Sequence, residues 1–513
     1  MSENQNAALY FVDRHVDEGR ADKVAFREAA GAKRSLTYGA LAQRSDLVAG
    51  AFEQAGVVPE QRVACIVLDQ IEYPEIFWGA LKAHVIPIAL NTLLSTSIYD
   101  FILKDSRATC LMVSHELLDV VMPAAAQAPH LKTIVVIGGE APEGTISYED
   151  FLTGAAPKQA VHVGEDECAF WLYSSGSTGQ PKGVRHVHGA LQATSDTYGA
   201  QVLGIREDDV VYSVAKIFFA YGLGNAMTFP LSVGATTVLF NGRPTPDVAA
   251  QIIADEQPTI FCGVPTLYAA TVHYFENNPV PQSNLRMCIS AGEALPEEVG
   301  NTWQELLNVE ILDGVGSTEM LHIFLSNRPG DVVYGTSGMA VPGYELRCVD
   351  EDGAEIAPGG VGELLVRGAS AAEGYWNKRS KSRATFEGEW TRTGDKYEIT
   401  AEGRFVYCGR TDDMFKVSGI WVSPFEVEQA LIAHPGVLEA AVVPKRDEEG
   451  LEKPQAFIVL KPGAAADKVL PELKTLVKEK VGAWKYPRWI EVVEDLPKTA
   501  TGKIQRFKLR EVA

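Results

Sequence analysis

The sequence predicts an α/β fold with more than one domain, and three observations lead to this prediction. The chain has 513 residues, more than a single hydrophobic core usually supports. Hydrophobic residues make up 46% of it and charged residues 22%, which is typical of a globular protein. Short β-branched segments alternate with helical ones, a pattern that indicates layered α/β architecture with largely parallel strands.

The elements of the N-terminal part follow this alternation in chain order. Helical periodicity is clearest at residues 38–54 and 246–256. Strand-like runs occupy residues 62–68, 133–137, 236–240 and 259–262. From about Val333 the sequence changes to closely spaced glycines and short strands, which predict a small β-rich subdomain.

The residue pattern changes a second time after Asp412. A helix that opens near Pro424 and a Lys-rich helix at residues 473–480 flank strands at 440–443 and 455–460. This pattern predicts a small α+β domain. We therefore expect an N-terminal domain of residues 1–411 and a C-terminal domain of residues 412–513.

Composition excludes several functional classes. The formal net charge of −21 gives no general attraction to nucleic acid or to an anionic membrane, so neither is expected as a partner. The seven cysteines have no CxxC pair and no metal-ligand spacing, and they are expected to be buried in a reducing compartment. Because no signal peptide or membrane-spanning stretch is evident, we expect a cytoplasmic protein.

Residues 170–184 run from an apolar strand into a loop rich in glycine and hydroxyl groups. Glycines let backbone N–H groups approach phosphate oxygens, and Ser, Thr and Lys side chains add donors and positive charge. The spacing differs from that of a Walker loop. The alternative is a flexible surface loop. We predict that phosphate is bound by Ser174, Ser175, Gly176, Ser177, Thr178, Gly179 and Lys182.

With this loop, the chain resembles the acyl-adenylate-forming superfamily of acyl-CoA synthetases, luciferases and peptide-synthetase adenylation domains. Further motifs match in family order at residues 290–293, 315–319, 393–395, 409–413 and 497–503. Before about residue 160 the sequence resembles the family only in its general residue pattern, without a matching motif. The resemblance implies an enzyme that adenylates a carboxylic acid with ATP, without a redox cofactor.

The resemblance also implies roles for single residues. Thr178 and Glu319 would help to hold Mg²⁺, a cation that prefers oxygen ligands. Lys182 and Lys503 would act in catalysis, with Lys503 neutralising charge during adenylation. Gly292, Glu293, Asp313 and Gly314 resemble the segments that enclose adenine in the family, in which many relatives have an aromatic residue at the position of Val315. The ATP or AMP ligand would also contact Ala291, Gly292, Glu293, Asp313, Gly314, Ser317, Thr318, Asp395 and Arg410.

The resemblance implies that coenzyme A accepts the acyl group in a second half-reaction. The family rotates its C-terminal domain about a hinge, here at Asp412, which brings Lys416, Ser418 and Gly419 to the pantetheine path. Lysines at the position of Lys503 are acetylated in the family, so a lysine acetyltransferase and deacetylase are expected partners, since acetylation removes the charge.

Residues 219–221 and 315–324 resemble the acyl-pocket segments of bacterial benzoate-CoA ligases. Ala220 leaves room for a flat ring. The larger side chains of Tyr221, His322 and Ile323 would close the pocket before a long alkyl chain could enter. The alternative is plain core packing. We expect benzoate or a hydroxybenzoate as the acid, with a pocket formed by Phe219, Ala220, Tyr221, Gly316, His322 and Ile323.

Two other readings remain open at this stage. The enzyme could use another acyl class or load a free-standing carrier protein instead of coenzyme A. A catalytically silent ligand-binding paralogue would show erosion of the nucleotide motifs. The retained side chains argue against it: Lys182, Glu319, Asp395, Arg410 and Lys503 are all present.

Overall fold

A computed structural model describes residues 4–174, 180–417, 420–448, 450–482, 485–498 and 504–512. These residues group into two compact units. The first unit contains residues 4–174, 180–345 and 366–391. The second unit contains residues 346–365 and the described residues between 392 and 512. Because the second unit begins upstream of Asp412, the domain boundary and hinge at that residue stay predictions.

One large sheet of the first unit has a parallel centre and antiparallel ends. Its central strands are short, mainly apolar and almost wholly buried, as expected for parallel strands covered on both faces. The strands, in spatial order, are Met339–Ala340, Ile323–Ser326, Ile311–Gly316, Met287–Ser290, Ile260–Gly263, Val210–Ser213, Thr236–Leu239, Val24–Glu28 and Ser35–Thr37.

A second sheet of the first unit is also parallel at its centre and antiparallel at one end. Its antiparallel end contains the strands on either side of the predicted phosphate loop. The strands, in spatial order, are Gly374–Tyr375, Lys182–Val187, Cys168–Ser174, Ile86–Ala89, Arg62–Ile66, Cys110–Ser114, Thr133–Ile137 and Ile146–Ser147.

Local signals begin and end the helices of this unit. The side chain of Thr37 caps Tyr38–Gln54 by accepting a hydrogen bond from the Ala40 amide at 3.1 Å. Pro246 occupies the first turn of its helix, which ends at a left-handed Gln257. The remaining α-helices are Arg14–Asp17, Glu72–Lys82, Thr96–Ser106, Leu118–Ala125, Tyr148–Leu152, His188–Thr194, Ala220–Leu223, Phe229–Val233, Pro265–Phe275, Glu297–Leu307 and Arg379–Thr385.

Four shorter helical turns complete the pattern. His115–Leu117 is a 3₁₀ turn, and Leu9–Asp13, Ser195–Val202 and Gly224–Thr228 are π-helical. Such π turns are frequent at functional sites. Gly224–Thr228 directly follows the segment that carries Phe219, Ala220 and Tyr221.

The glycine-rich region predicted to be β-rich does form a small sheet. Two of its strand pairs are antiparallel, and residues 395 and 410 face each other across one of them. The strands are Glu345–Val349, Val361–Arg367, Phe386–Glu387, Trp390–Ile399 and Phe405–Arg410.

The C-terminal residues of the second unit form the predicted α+β arrangement. Val427, Leu431, Val442, Ile458 and Leu473 belong to its buried apolar core. A hairpin pairs Phe415–Val417 with Ile420–Val422, and a further sheet contains Val437–Arg446, Glu452–Leu460 and Trp489–Val492. The helices are Pro424–Ile432, Ala466–Lys480 and Arg506–Arg510.

The α/β architecture predicted from the sequence is therefore confirmed, with helix bounds at 38–54 and 246–256 as expected. All seven cysteines are free and all but the half-buried Cys168 are buried. Every helix among the described residues is too short or too polar to span a bilayer.

Candidate active site

The predicted site segments of the first unit meet at one edge of its larger sheet. Strands Val210–Ser213, Ile260–Gly263, Met287–Ser290 and Ile311–Gly316 are parallel, so their carboxyl ends lie side by side. The pocket segment at 216–221, the adenine segment at 291–293 and the motif at 316–319 follow three of these ends. Ligands of open α/β sheets bind at such an edge.

The two ends of the predicted phosphate loop are paired. Ser174 ends one strand and Lys182 begins the next, and the two residues face each other in an antiparallel ladder. The five loop residues between them that were predicted to bind phosphate lie outside the described residues: Ser175, Gly176, Ser177, Thr178 and Gly179.

Glu319 lies at the centre of a polar cluster beside this strand pair. Its Oε1 atom accepts a hydrogen bond from the Tyr375 hydroxyl at 2.8 Å and from Ser174 Oγ at 3.5 Å. Lys182 Nζ lies 3.9 Å from the same oxygen. The side chains of Lys182 and Glu319 are only 15% and 16% exposed. The structure thus brings together three predicted residues and holds the carboxylate in place.

Tyr375 belongs to this cluster but was not predicted from the sequence. Its short strand pairs with the strand of Lys182, and Lys182 Nζ lies 4.2 Å from the centre of its ring. A cation over an aromatic face is held electrostatically. Tyr375 is 56 residues away from Glu319 in the chain, and no local pattern links the two.

A buried acid, Asp313, lies on the strand Ile311–Gly316 and is one of the predicted nucleotide contacts. Asp313 is 5% exposed, and its Oδ2 atom accepts a hydrogen bond from the Leu295 amide at 3.4 Å. The Asp313 carbonyl accepts hydrogen bonds from Asn327 through its amide at 3.0 Å and its Nδ2 at 3.2 Å. Burial raises the pKa of Asp313 to about 8, so at neutral pH the carboxyl group is mainly protonated and can donate a hydrogen bond.

The neighbouring predicted adenine residues have different exposures. Ala291 is buried, while Gly292 and Glu293 are exposed at the sheet edge. Gly292 has a φ of +100°, which a residue with a side chain adopts only with strain. Ser317 Oγ accepts a hydrogen bond from the Met320 amide at 3.1 Å, and the Thr318 carbonyl accepts one from the Leu321 amide. Residues 317–321 therefore form a turn that is held by its own hydrogen bonds.

Four of the predicted acyl-pocket residues contact one another. His322 Nε2 lies 3.2 Å from the Tyr221 carbonyl, and the two ring centres are 5.7 Å apart. Gly316 pairs with Ile323 across a strand ladder. A Cβ atom on Gly316 would lie 2.5 Å from the His322 carbonyl oxygen, so this position requires glycine.

The Tyr221 hydroxyl is already hydrogen-bonded to the protein. It donates to the carbonyls of Gly263 and Ile289, each at 3.1 Å. Gly263 ends one parallel strand and Ile289 is the second-last residue of the next, so the Tyr221 side chain is fixed at the carboxyl ends of these strands. Phe219 and Ala220 precede it and are half-buried, and the Phe219 ring lies 4.4 Å from that of Phe218.

His322 is a neutral residue of this wall. It is 2% exposed, and burial lowers the pKa of its imidazole to about 3. A neutral ring whose Nε2 faces a carbonyl carries its proton on Nε2 and donates to that carbonyl. His322 therefore fixes the Tyr221 backbone without adding charge to the pocket.

In the second unit, Asp395 and Arg410 form the predicted pair. Arg410 Nη1 donates to Asp395 Oδ1 at 2.8 Å and to the Thr393 carbonyl at 3.0 Å. Burial lowers the pKa of Arg410, but the charge and hydrogen bond of Asp395 outweigh burial and raise it above the ordinary value. The two side chains are held together before any ligand binds.

The predicted hinge and coenzyme A segment are only partly described. The Asp412 carbonyl accepts a hydrogen bond from Arg510 Nη2 at 3.3 Å, and Asp413 pairs with both Arg506 and Arg510. Lys416 lies on the strand Phe415–Val417. Ser418, Gly419 and Lys503 lie outside the described residues.

Comparison with known proteins identifies the family. A model of AMP-binding enzymes matches residues 12–376, and a model of the AMP-binding enzyme C-terminal domain matches residues 426–503. The chain belongs to the AMP-binding enzyme family. This confirms the resemblance inferred from the ordered motifs.

Several aromatic-acid ligases are similar to this AMP-binding enzyme over their whole length. A benzoate–CoA ligase of Thauera aromatica is 54% identical over 511 residues, which are 99% of this chain and 96% of that protein. A 4-hydroxybenzoate–CoA/benzoate–CoA ligase of Rhodopseudomonas palustris is 50% identical over 519 residues, covering 99% and 94%. The solved benzoate CoA ligase from Burkholderia xenovorans LB400 has a TM-score of 0.89 at 47% identity, covering 99% and 100%.

The buried acid of this AMP-binding enzyme leads to a prediction about pH. The folded pKa of Asp313 is about 8 and its ordinary value is 3.8, so between these values the unfolded chain releases a proton that the folded chain keeps. The free energy of unfolding therefore falls as the pH rises from 3.8 to about 8, by up to about 1.4 kcal/mol per pH unit. We expect the melting temperature of Asp313→Asn, relative to that of the unchanged protein, to rise from pH 5 to 8 and then to level off.

Thermal unfolding of both proteins between pH 5 and 9 measures this difference. Asp352→Asn is the matched control, because Asp352 is an exposed aspartate in a turn. Its melting temperature should differ from that of the unchanged protein by the same amount at every pH. A difference for Asp313→Asn that does not vary with pH would contradict a protonated Asp313.

Proposed function

We propose that this AMP-binding enzyme joins benzoate or a hydroxybenzoate to coenzyme A, with cleavage of ATP to AMP and pyrophosphate. The observation that carries the proposal is the contact of His322 with Tyr221, next to Ile323 on the strand that pairs with Gly316. Its relatives over the full length act on such acids. The reaction runs in two half-reactions, adenylation and thioester formation.

In the first half-reaction, an oxygen of the acid attacks the α-phosphorus of ATP. The bond from that phosphorus to the bridging oxygen breaks, and pyrophosphate leaves with the electron pair. Positioning and charge neutralisation dominate such a transfer. Lys182 and the loop that starts at Ser174 bind the β- and γ-phosphates, and Lys503 neutralises charge on the reacting groups.

The described residues fit a magnesium ion bound together with ATP. Glu319 offers a carboxylate that Tyr375 and Lys182 hold in position. Within the described part of the chain, no group of three or more His, Cys, Asp or Glu side chains is arranged around a metal. Mg²⁺ prefers one or two carboxylates with phosphate oxygens and water. Glu319 and Thr178 would hold it, and the ion would neutralise phosphate charge.

The predicted nucleoside contacts keep in this proposal the roles that the resemblance gives them. Asp395 accepts hydrogen bonds from the ribose hydroxyls, and Arg410 orients that carboxylate. Asp313, as a protonated acid, donates a hydrogen bond to an adenine nitrogen. Gly292 lets the backbone approach the base closely, since it has no side chain.

In the second half-reaction, the thiol sulfur of coenzyme A attacks the acyl carbon. The bond from this carbon to the AMP oxygen breaks, AMP leaves with the electron pair, and the thiol proton passes to solvent. We propose that residues 412–513 form a domain that turns about Asp412 between the half-reactions. Lys416, Ser418 and Gly419 then line the pantetheine path.

Two polar groups of the acid-binding wall, the Tyr221 hydroxyl and His322 Nε2, are bonded within the protein. The Tyr221 hydroxyl donates to two backbone carbonyls, so its single proton is engaged. His322 carries no charge. A flat aromatic ring beside Ala220 therefore meets mainly apolar surface, and its carboxylate points toward the phosphate-binding groups. A long alkyl chain would meet Tyr221 and Ile323.

We expect Ile323→Ala to extend the substrate range toward para-substituted acids. Ile323 is buried and packs against Gly314. Removing its branched side chain opens space at the wall, so the ratio of kcat/KM for 4-chlorobenzoate to that for benzoate should rise about ten-fold. Steady-state pyrophosphate release with both acids measures the ratio.

Ile260→Ala is the control for this substitution. Ile260 is also buried on a strand of the same sheet but lies outside the predicted pocket. It should lower stability without changing the ratio between the acids. An unchanged ratio in Ile323→Ala would remove Ile323 from the wall.

The test of the proposed function is pyrophosphate release measured with a panel of acids. The panel contains benzoate, its hydroxy, amino and halo derivatives, cinnamate, acetate and octanoate. Benzoate or a hydroxybenzoate should give the highest kcat/KM. Faster release with acetate or octanoate would overturn the choice of acid, and no release with any acid would favour a silent paralogue.

The alternative acceptor is a free-standing carrier protein. Supplying benzoyl-AMP with either coenzyme A or a purified carrier bearing a pantetheine arm separates the two. Preferential transfer to the carrier would replace coenzyme A in the proposal.

We also propose that acetylation of Lys503 by a lysine acetyltransferase switches adenylation off, and a fully active acetylated preparation would contradict this.

A further inference from the structure

An open pocket of about 500 Å³ lies in the first unit beside Tyr375. Its walls contain the cationic side chains of Arg185, Lys378, Arg379 and Arg383, with Glu373 as the carboxylate. The whole chain has a net charge of −21. Positive charge concentrated in one cavity of an acidic protein attracts anions locally.

The positive charge of this pocket is only partly balanced. Arg185 Nη1 lies 3.7 Å from Glu373 Oε2, while Arg185 Nε is buried and has no hydrogen-bond partner in the described part of the chain. Among the described residues, no carboxylate lies within ion-pair distance of Lys378, Arg379 or Arg383. Cations that face one cavity repel each other, so a bound anion would lower their energy.

Helix geometry directs two of these arginines to one side. Arg379 and Arg383 are four residues apart on the helix Arg379–Thr385, which places them on the same face. Guanidinium groups bind phosphate oxygens in a two-pronged geometry. Lys381 lies between them in sequence, is exposed and does not line the pocket.

The pocket is joined to the Glu319 cluster through Tyr375. Ser382 Oγ accepts a hydrogen bond from the Tyr375 amide at 3.0 Å and donates to the Lys378 carbonyl at 3.1 Å. The Tyr375 hydroxyl in turn donates to Glu319. One wall of the pocket is therefore anchored to the residue that orients the predicted magnesium ligand.

We propose that this pocket is a second phosphate site, which binds a diphosphate group beside the Glu319 cluster. The inference rests on the proposed function, because that reaction involves two anions of this chemistry besides ATP. One is the leaving pyrophosphate, and the other is the 3′-phosphorylated diphosphate end of coenzyme A. Both carry several charges that Arg379, Arg383 and Lys378 can pair with.

Calorimetric titration of the full chain with inorganic pyrophosphate and with coenzyme A tests the proposal. Arg379→Gln and Arg383→Gln each remove one cation of the pocket, and Lys381→Gln removes one from the same helix outside it. We expect the Kd of at least one ligand to rise about ten-fold in each arginine variant. In Lys381→Gln both Kd values should stay close to those of the unchanged protein.

The two ligands identify the source of the diphosphate. A larger Kd for pyrophosphate alone assigns the pocket to the leaving group, and a larger Kd for coenzyme A alone assigns it to the thiol substrate. Pyrophosphate also binds the phosphate loop in the proposed function, but all variants keep that loop, so the change reports the pocket.

Three results would overturn the proposal: no measurable binding of either ligand, Kd values unchanged in the arginine variants, or an equal rise in Lys381→Gln. The titrations contain no acid substrate. An error in the proposed acid would therefore leave them unaffected and would be seen only in the pyrophosphate-release panel.

Discussion

Replacement of Glu319 by glutamine is expected to lower pyrophosphate release with benzoate about 100-fold or more. Glutamine has nearly the same shape and can still accept the hydrogen bond of Tyr375. It lacks the negative charge that lies 3.9 Å from Lys182 Nζ and that would bind magnesium. The loss should therefore fall on kcat, and the concentration of Mg²⁺ needed for half-maximal rate should rise. Initial rates across a magnesium titration measure both effects.

Tyr375→Phe is the matched control for the charge of Glu319. It removes only the hydroxyl group that donates to Glu319 at 2.8 Å, and it keeps the ring under Lys182. Its rate should fall by only about ten-fold, because one hydrogen bond to a charged group is lost. If both variants lost the same activity with the same magnesium dependence, the carboxylate would serve only to hold Tyr375.

Lys503→Ala is expected to separate the two half-reactions. Formation of benzoyl-AMP should fall about 1,000-fold, since the charge that develops between the acid and the phosphate is no longer neutralised. Transfer from supplied benzoyl-AMP to coenzyme A should change less than about three-fold, because that step does not use the lysine. Pyrophosphate release measures the first rate, and thioester formation from benzoyl-AMP measures the second.

Lys498→Ala is the control in the same segment. Lys498 pairs with Glu439 at 2.7 Å and with Asp495 at 3.0 Å, so its role is local packing of the second unit. Its removal should affect both half-reactions to a similar and small extent. A matching loss of both steps in Lys503→Ala would contradict the assignment of that lysine to adenylation.

Features encoded by neighbouring residues were predictable from the sequence. The helix Tyr38–Gln54 has a capping threonine, and Pro246 begins the second predicted helix at its first turn. The motif residues Ser174, Lys182 and Glu319 were found because family order links short local patterns. The roles of all the predicted site residues stay predictions, and Thr178, Ser418, Gly419 and Lys503 lie outside the described residues.

The tertiary structure alone decided which groups complete the site. Tyr375 reaches Glu319 because its strand pairs with that of Lys182, and the Tyr221 hydroxyl is engaged by the ends of two strands far along the chain. The raised pKa of Asp313 follows from its burial, which no local pattern reports.

The amino-acid sequence by itself determined the α/β class and the family, and it singled out Lys182 and Glu319, which the structure brings within 3.9 Å of each other. The tertiary structure decided the partner of Glu319, the closed wall around Tyr221 and the cationic pocket near Arg379. The physical reason is that propensity, capping and motifs act over a few residues, whereas strand order and burial join distant segments.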